Sequence, residues 1–91
     1  MVKVEILLYG GLARIAGKKK VSVDASQLRG ALQGLEKFGE EFNRRLFDGR
    51  GNPSRFINMY VNGRDVRFLD KLDTVLNEGD TISLMPAVSG G

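Results

Sequence analysis

The chain predicts an α+β fold: a mixed sheet of four to five strands, one main helix across one face, and a flexible tail. The domain is expected over residues 1–86 and the tail over 87–91. Three observations carry this. Val2, Val4, Ile6 and Leu8 alternate with Lys3, Glu5, Leu7 and Tyr9, the period of a strand with one buried face. Leu28, Ala31, Leu32, Leu35 and Phe38 fall on one stripe of a helix. Two further strand-like runs, 55–61 and 81–85, are set apart by Asn62-Gly63 and Glu78-Gly79-Asp80. One helix cannot cover both faces of such a sheet, so it lies across one of them.

Taken in order, residues 2–9 form the first strand. Gly10-Gly11 and Gly17 bracket a loop or a single helical turn. Residues 18–24 read as a short second strand, with Val21 and Val23 inward, forming a hairpin with the first. Asp24 or Ser26 is placed to cap the helix. Gly30 and Gly34 lie off its apolar stripe and each costs about 1 kcal/mol against Ala. Gly39 ends it. Residues 40–54 are irregular, with a short helix pinning Phe42, Leu46 or Phe47 onto the core, then a loop rich in Gly, Asn and Pro. In 55–61 the apolar set Ile57, Met59 and Val61 faces the helix. Residues 64–68 return as a short strand, and Pro86 closes the last one.

Composition narrows the chemistry. Ninety-one residues make one small domain, burying somewhat over ~60% of the unfolded surface. Apolar content of 42% and charged content of 27% are those of an ordinary globular protein. No run approaches a membrane span, and the N-terminus lacks a signal-peptide pattern. There is no Cys and no His, which removes thiol nucleophiles, disulfides, the usual zinc ligands and the commonest acid–base side chain. Absent Cys fits a cytoplasmic location. The Asp residues fall at caps and turns, and no paired-carboxylate pattern stands out.

The chain ends Ala87-Val88-Ser89-Gly90-Gly91 after its last strand. Glycine has no Cβ, so such an end threads a slot closed to other residues. An ordinary frayed end or an appended remnant would read the same way in isolation. The wider pattern gives the tail its weight. Val61-Asn62-Gly63-Arg64-Asp65-Val66, Leu72-Asp73, Leu76-Asn77-Glu78-Gly79-Asp80 and Met85-Pro86 before the Gly-Gly end occur in an order that resembles the small, sulfur-carrying subunit of molybdopterin synthase. The resemblance is to the archaeal-type branch of the ubiquitin-like β-grasp sulfur carriers and covers nearly the whole chain. Members commonly carry Phe-Pro-Pro before the tail; here it is Met85-Pro86-Ala87.

The resemblance implies a protein co-substrate, not a catalyst. An E1-like adenylyltransferase would adenylate the Gly91 carboxylate with ATP, and a persulfide would convert it to a thiocarboxylate. The large subunit of molybdopterin synthase would then receive the tail, with Gly90, Ser89 and Val88 lying in its pocket. The carrier itself would need no cofactor and no metal. Partner recognition is expected from exposed apolar side chains near the tail's root: Leu7, Tyr9 and Met85, joined by Val66 or Phe68. The other reading of Leu7, Tyr9, Val66 and Phe68 is a second small core. Conjugation to lysines as a ubiquitin-like modifier uses the same adenylation, and a thiamine or tRNA-thiolation carrier shares the chemistry. A non-covalent adaptor with an incidental diglycine is the third class.

The basic runs Lys18-Lys19-Lys20 and Arg44-Arg45, with Arg50 and Arg55, read as sheet-edge protection and solvated charge. A net charge of +3 and basic runs without interleaved aromatics argue against specific nucleic-acid binding. Phe56 and Tyr60 share one strand face and are the only rings placed to stack on bases.

Overall fold

A computed structural model describes residues 1–87. Its elements in chain order are β1 (Val2–Leu8), α1 (Gly10–Ala16), β2 (Lys20–Ala25), α2 (Leu28–Gln33), α3 (Glu40–Leu46), β3 (Ile57–Val61), β4 (Arg64–Asp65) and β5 (Thr81–Pro86). Three 3₁₀ turns, Glu36–Phe38, Val66–Phe68 and Lys71–Asp73, fill the connections.

The sheet order is β2-β1-β5-β3-β4. The hairpin of β1 with β2 is antiparallel, Val4 opposite Val23. The last strand enters the centre of the sheet, parallel to β1 (Ile6 beside Ile82) and antiparallel to β3 (Met59 beside Leu84). Every second side chain therefore points to the helices. Val4, Ile6, Leu8, Ile82 and Leu84 meet Leu28, Leu32, Leu35, Phe42 and Leu46 in a single core. Met59 and Val61 are buried with them, and Ile57 packs at the margin.

The main helix is shorter than expected: it stops at Gln33, a 3₁₀ turn carries Phe38, and Gly39 (φ 99°) ends the segment. The short helix expected after it is α3, which buries Phe42 and Leu46. Gly34 marks the stop of α2, and its place there has a steric cause. A Cβ at Gly34 would stand 3.1 Å from Val23 Cγ1 and 3.2 Å from the Ala31 carbonyl oxygen, tighter than almost any side chain tolerates. Phe38 and Phe42 meet across Gly39 with ring centroids 5.2 Å apart.

Neither Asp24 nor Ser26 caps α2. Gln27 holds the N-cap position without a side-chain bond. The loop before β5 takes over instead: Leu28 N–H donates to the Thr74 carbonyl at 3.0 Å, and Leu76 N–H to that of Ser26 at 3.0 Å. Backbone from far along the chain thus satisfies the first free N–H of the helix, and the entry of α2 is fixed by this pairing in place of a side-chain cap.

Residues 10–16 form a seven-residue helix that buries Leu12, where a loop or one turn was expected. The return strand is also shorter than expected. It pairs only Arg64 with Val61 and Asp65 with Tyr60, then curls into a 3₁₀ turn because the Asp65 carboxylate accepts from Arg67 N–H at 2.9 Å. The Asn62-Gly63 turn is as expected, both residues in the left-handed region (φ 53° and 85°). Asn62 also ties the turn to β5: its side chain accepts from Thr81 N–H at 3.0 Å and donates to Asp80 at 2.9 Å.

Candidate functional site

The helices cover one face of the sheet and leave the other open. Alternation in β1, β5 and β3 sends Glu5, Leu7, Ser83, Met85, Asn58 and Tyr60 to this open face. Register then fixes their neighbours. Leu7 lies between Lys20 and Ser83, Ser83 beside Tyr60, and Met85 beside Asn58. Glu5 sits one row back between Ser22 and Thr81, and its carboxylate pairs with Lys20 at 3.3 Å. The open face is therefore polar toward the start of β5 and apolar toward its end, where the chain leaves the sheet.

Tyr9 extends β1 by one residue (φ −128°, ψ 155°), which keeps it on the Leu7 side. It is 40% exposed, Met85 is 38% exposed, and Leu7 is half-buried. These three expected side chains converge at the root of the tail. Val66 does not join them. It is only 8% exposed and belongs to the core: Asp65 pairs with Tyr60 on the open face, so the next side chain, Val66, falls on the helical side near buried Met59. Phe68, 85% exposed, stands beyond β4 at the sheet's far edge, apart from Leu7 and Tyr9. Asp65 and Arg67 form the tightest ion pair of the described residues (2.7 Å). The Arg67 hydrogen bonds hold the Asp65 carboxyl below its ordinary range.

The chain's exit is built by two contacts. Pairing with β1 stops at Leu84, so the N–H missing at Pro86 leaves no ladder bond unmade there. One residue on, Ala87 N–H donates to the Phe56 carbonyl at 2.7 Å and holds the strand to β3. Gly10 makes room for Pro86. It sits at φ 60°, and a Cβ there would stand 3.3 Å from Pro86 Cγ. Sequence reading took Gly10-Gly11 as a loop signal and missed this close approach, which depends on a strand seventy residues away. The expected tail residues Val88, Ser89, Gly90 and Gly91 lie outside the described residues.

Among the described residues no group of three or more His, Cys, Asp or Glu side chains is disposed to hold a metal. No described helix is long and apolar enough to cross a membrane. What the site offers is an apolar patch of modest size beside a narrow strand exit, suited to docking.

The ThiS family pattern matches residues 6–91, nearly the whole chain and through its final glycines. The chain belongs to the ThiS family. It is 39% identical over 77 residues to the sulfur carrier protein CysO of Mycobacterium tuberculosis, covering 82% of this chain and 83% of that protein. Its fold superposes on the small archaeal modifier protein 1 of Methanosarcina acetivorans with a TM-score of 0.87 at 27% identity, covering 100% and 98% of the two chains. A chain of the Amycolatopsis orientalis BexX/CysO complex matches with a TM-score of 0.82 at 31% identity, covering 97% and 99%. The mixed five-stranded sheet is that of these ubiquitin-like β-grasp proteins. This ThiS-family chain thus has the β-grasp fold and the sulfur-carrier kinship that its sequence resembles.

Proposed function

We propose that the chain is a sulfur carrier for molybdopterin synthesis, charged at the Gly91 carboxylate. An E1-like adenylyltransferase attacks the α-phosphate of ATP with that carboxylate, releasing pyrophosphate and leaving an acyl-adenylate. A persulfide sulfur displaces AMP, and a thiol of the activating machinery then attacks the outer sulfur of the resulting acyl disulfide, releasing the C-terminal thiocarboxylate and becoming a disulfide. The large subunit of molybdopterin synthase takes the tail and passes its sulfur to the pterin precursor. The carrier is a co-substrate acting in the cytoplasm, with no cofactor of its own. The observation that carries this reading is the family match running to Gly91, on a domain whose last strand delivers the tail beside an apolar patch. The order of the Asn-Gly, Glu-Gly-Asp and Pro-Ala-Val segments supports molybdopterin as the destination. A strain lacking this chain is expected to lose molybdopterin, read as its fluorescent oxidation product. Normal levels in that strain would move the carrier to another thiolation pathway.

Likeness to a small archaeal modifier protein favours a second reading, conjugation of Gly91 to lysines of other proteins. Both readings need the same docking step. Met85→Ala and Tyr9→Ala are each expected to weaken binding to the E1-like enzyme by about fivefold or more, the usual cost of truncating an anchor. Lys37→Ala, whose ammonium lies over the Phe38 ring on the helical side, is the control and should bind as wild type. Calorimetry gives the comparison, and equal affinities for all three would place the interface elsewhere.

A further inference from the structure

The basic side chains that sequence reading assigned to solvation are gathered at one end of the molecule. A groove of about 440 Å³ opens beside Ala87 where the chain leaves the sheet. Its floor is apolar, with Leu12, Ile57 and Pro86, and its rim carries the Arg44 and Arg45 guanidiniums. Among the described residues no carboxylate lines it. Arg45 is laid against Gly11, whose absent side chain leaves it room: a Cβ there would stand 2.8 Å from Arg45 Nη1. Arg55 flanks the groove: its guanidinium rests 5.1 Å from the centroid of the Phe56 ring, which lines it, while Arg55 itself lines the neighbouring cavity with Asp65, Asp70 and Asp73. The partners of Arg44 and Arg45 are Glu40 and Glu41, one turn back on the same helix, at 3.7 Å and largely exposed. Such pairs hold little energy and leave both guanidiniums available.

The opposite end differs. Glu78 accepts from Lys3 N–H, Asp24 is paired opposite Lys3 in the sheet, and Asp80 holds the Asn62 turn. Lys19, whose carbonyl accepts from Leu8 N–H, lies at the tail end. The described lining of the exit groove is thus cationic, whereas the opposite end carries Glu78, Asp24 and Asp80 beside Lys3 and Arg64. Four residues, Val88 to Gly91, extend past Ala87. Fully extended they span at most ~14 Å. Any enzyme acting on the Gly91 carboxylate must therefore bring its surface over this end.

We propose that Arg44, Arg45 and Arg55 form a cationic collar that docks on an acidic protein surface bordering the tail slot of the activating enzyme. The proposal rests on the reading that Gly91 is adenylated. The collar acts on encounter, raising the rate at which the tail is presented, and is spent before chemistry begins. It complements the open sheet face, which supplies the apolar anchors.

The test is ATP–pyrophosphate exchange by the E1-like enzyme of the same organism, with KM for the carrier and kcat measured separately. Arg44→Glu/Arg45→Glu is expected to raise KM about tenfold or more with kcat within about twofold, because steering contributes to encounter by factors of that order. Arg44→Gln/Arg45→Gln should fall between it and wild type. Thermal unfolding of the Gln variant should stay near wild type and that of the charge-reversal variant slightly below it, because the reversal sets like charges one turn from Glu40 and Glu41. The difference should shrink from ~0.05 M to ~0.5 M salt as the screening length contracts. Arg64→Glu, at the far end, should leave KM unchanged. A wild-type KM in the double charge-reversal variant overturns the collar alone. An equal rise per charge in Arg64→Glu also overturns it, showing that total charge governs binding. A wild-type chain supporting no exchange overturns the adenylation reading and the collar with it.

Discussion

Removing Gly91 is expected to abolish ATP-dependent activation while leaving the domain folded. The terminal carboxylate would move to Gly90, one residue back, which withdraws the reacting oxygen by about 3.5 Å. A displacement of even ~1 Å at a reacting centre costs around a hundredfold in rate. The loss of pyrophosphate exchange should therefore be at least that large. The stability change should be small, within about 0.5 kcal/mol, because the deletion touches none of the features that make substitutions costly. The core is complete by Leu84, and the last backbone bond of the described chain is made by Ala87. Exchange assays and urea denaturation on the same preparation separate the two effects. Retained activation in the truncated chain would sink the carrier and modifier readings together.

Phe42→Ala should have the largest effect on stability. Phe42 is fully buried, among the largest side chains of the core, and bridges α3 to the 3₁₀ turn through Phe38. Truncating a buried Phe costs about 3–5 kcal/mol, the lost transfer energy plus that of the cavity left behind. A domain of this length has roughly 5–14 kcal/mol in all. The variant should lose about a fifth or more of its stability, seen as a lower urea midpoint at nearly unchanged slope. It should also expose α3, which carries Arg44 and Arg45, to local unfolding. A loss under about 1 kcal/mol would mean that α3 is not packed on the sheet as described.

The parts of the fold visible in the sequence were those set by local periodicity. The β1 alternation, the α2 stripe and the Asn62-Gly63 turn each depend on residues within a few positions of one another. What was hidden depended on distant neighbours. The need for glycine at position 34 follows from Val23 on the adjacent strand, and the partner of the first α2 amide from Thr74, forty-six residues on. Helix α1 was legible in principle. Leu12, Ile15 and Ala16 stand at helical spacing, but the flanking glycines argued for a loop. Val66 is expected on the open face, but its side depends on register: Asp65 pairs with Tyr60, which sends Val66 to the helical side, and that pairing is not visible in residues 64–68 alone. At the site, Leu7, Tyr9 and Met85 followed from alternation alone. Their convergence at the tail root required knowing that β5 enters the sheet beside β1. The grouping of the arginines was invisible for the same reason: Arg44 and Arg45 line a groove with Ile57 and Pro86, and Arg55 flanks it on the Phe56 ring, only when α3 and β3 meet the end of β5.

The central claim is that this domain presents a chain end carrying transferable sulfur at Gly91. It is tested most directly by the intact mass of the protein purified from its own cells, without reducing or alkylating steps. The carrier account predicts a population heavier than the unmodified chain by the difference between one sulfur and one oxygen atom. That increment should localise to the C-terminal peptide and vanish when Gly91 is deleted. A chain found only unmodified, in cells actively making the cofactor, would contradict it. So would one found joined through Gly91 to lysines of other proteins.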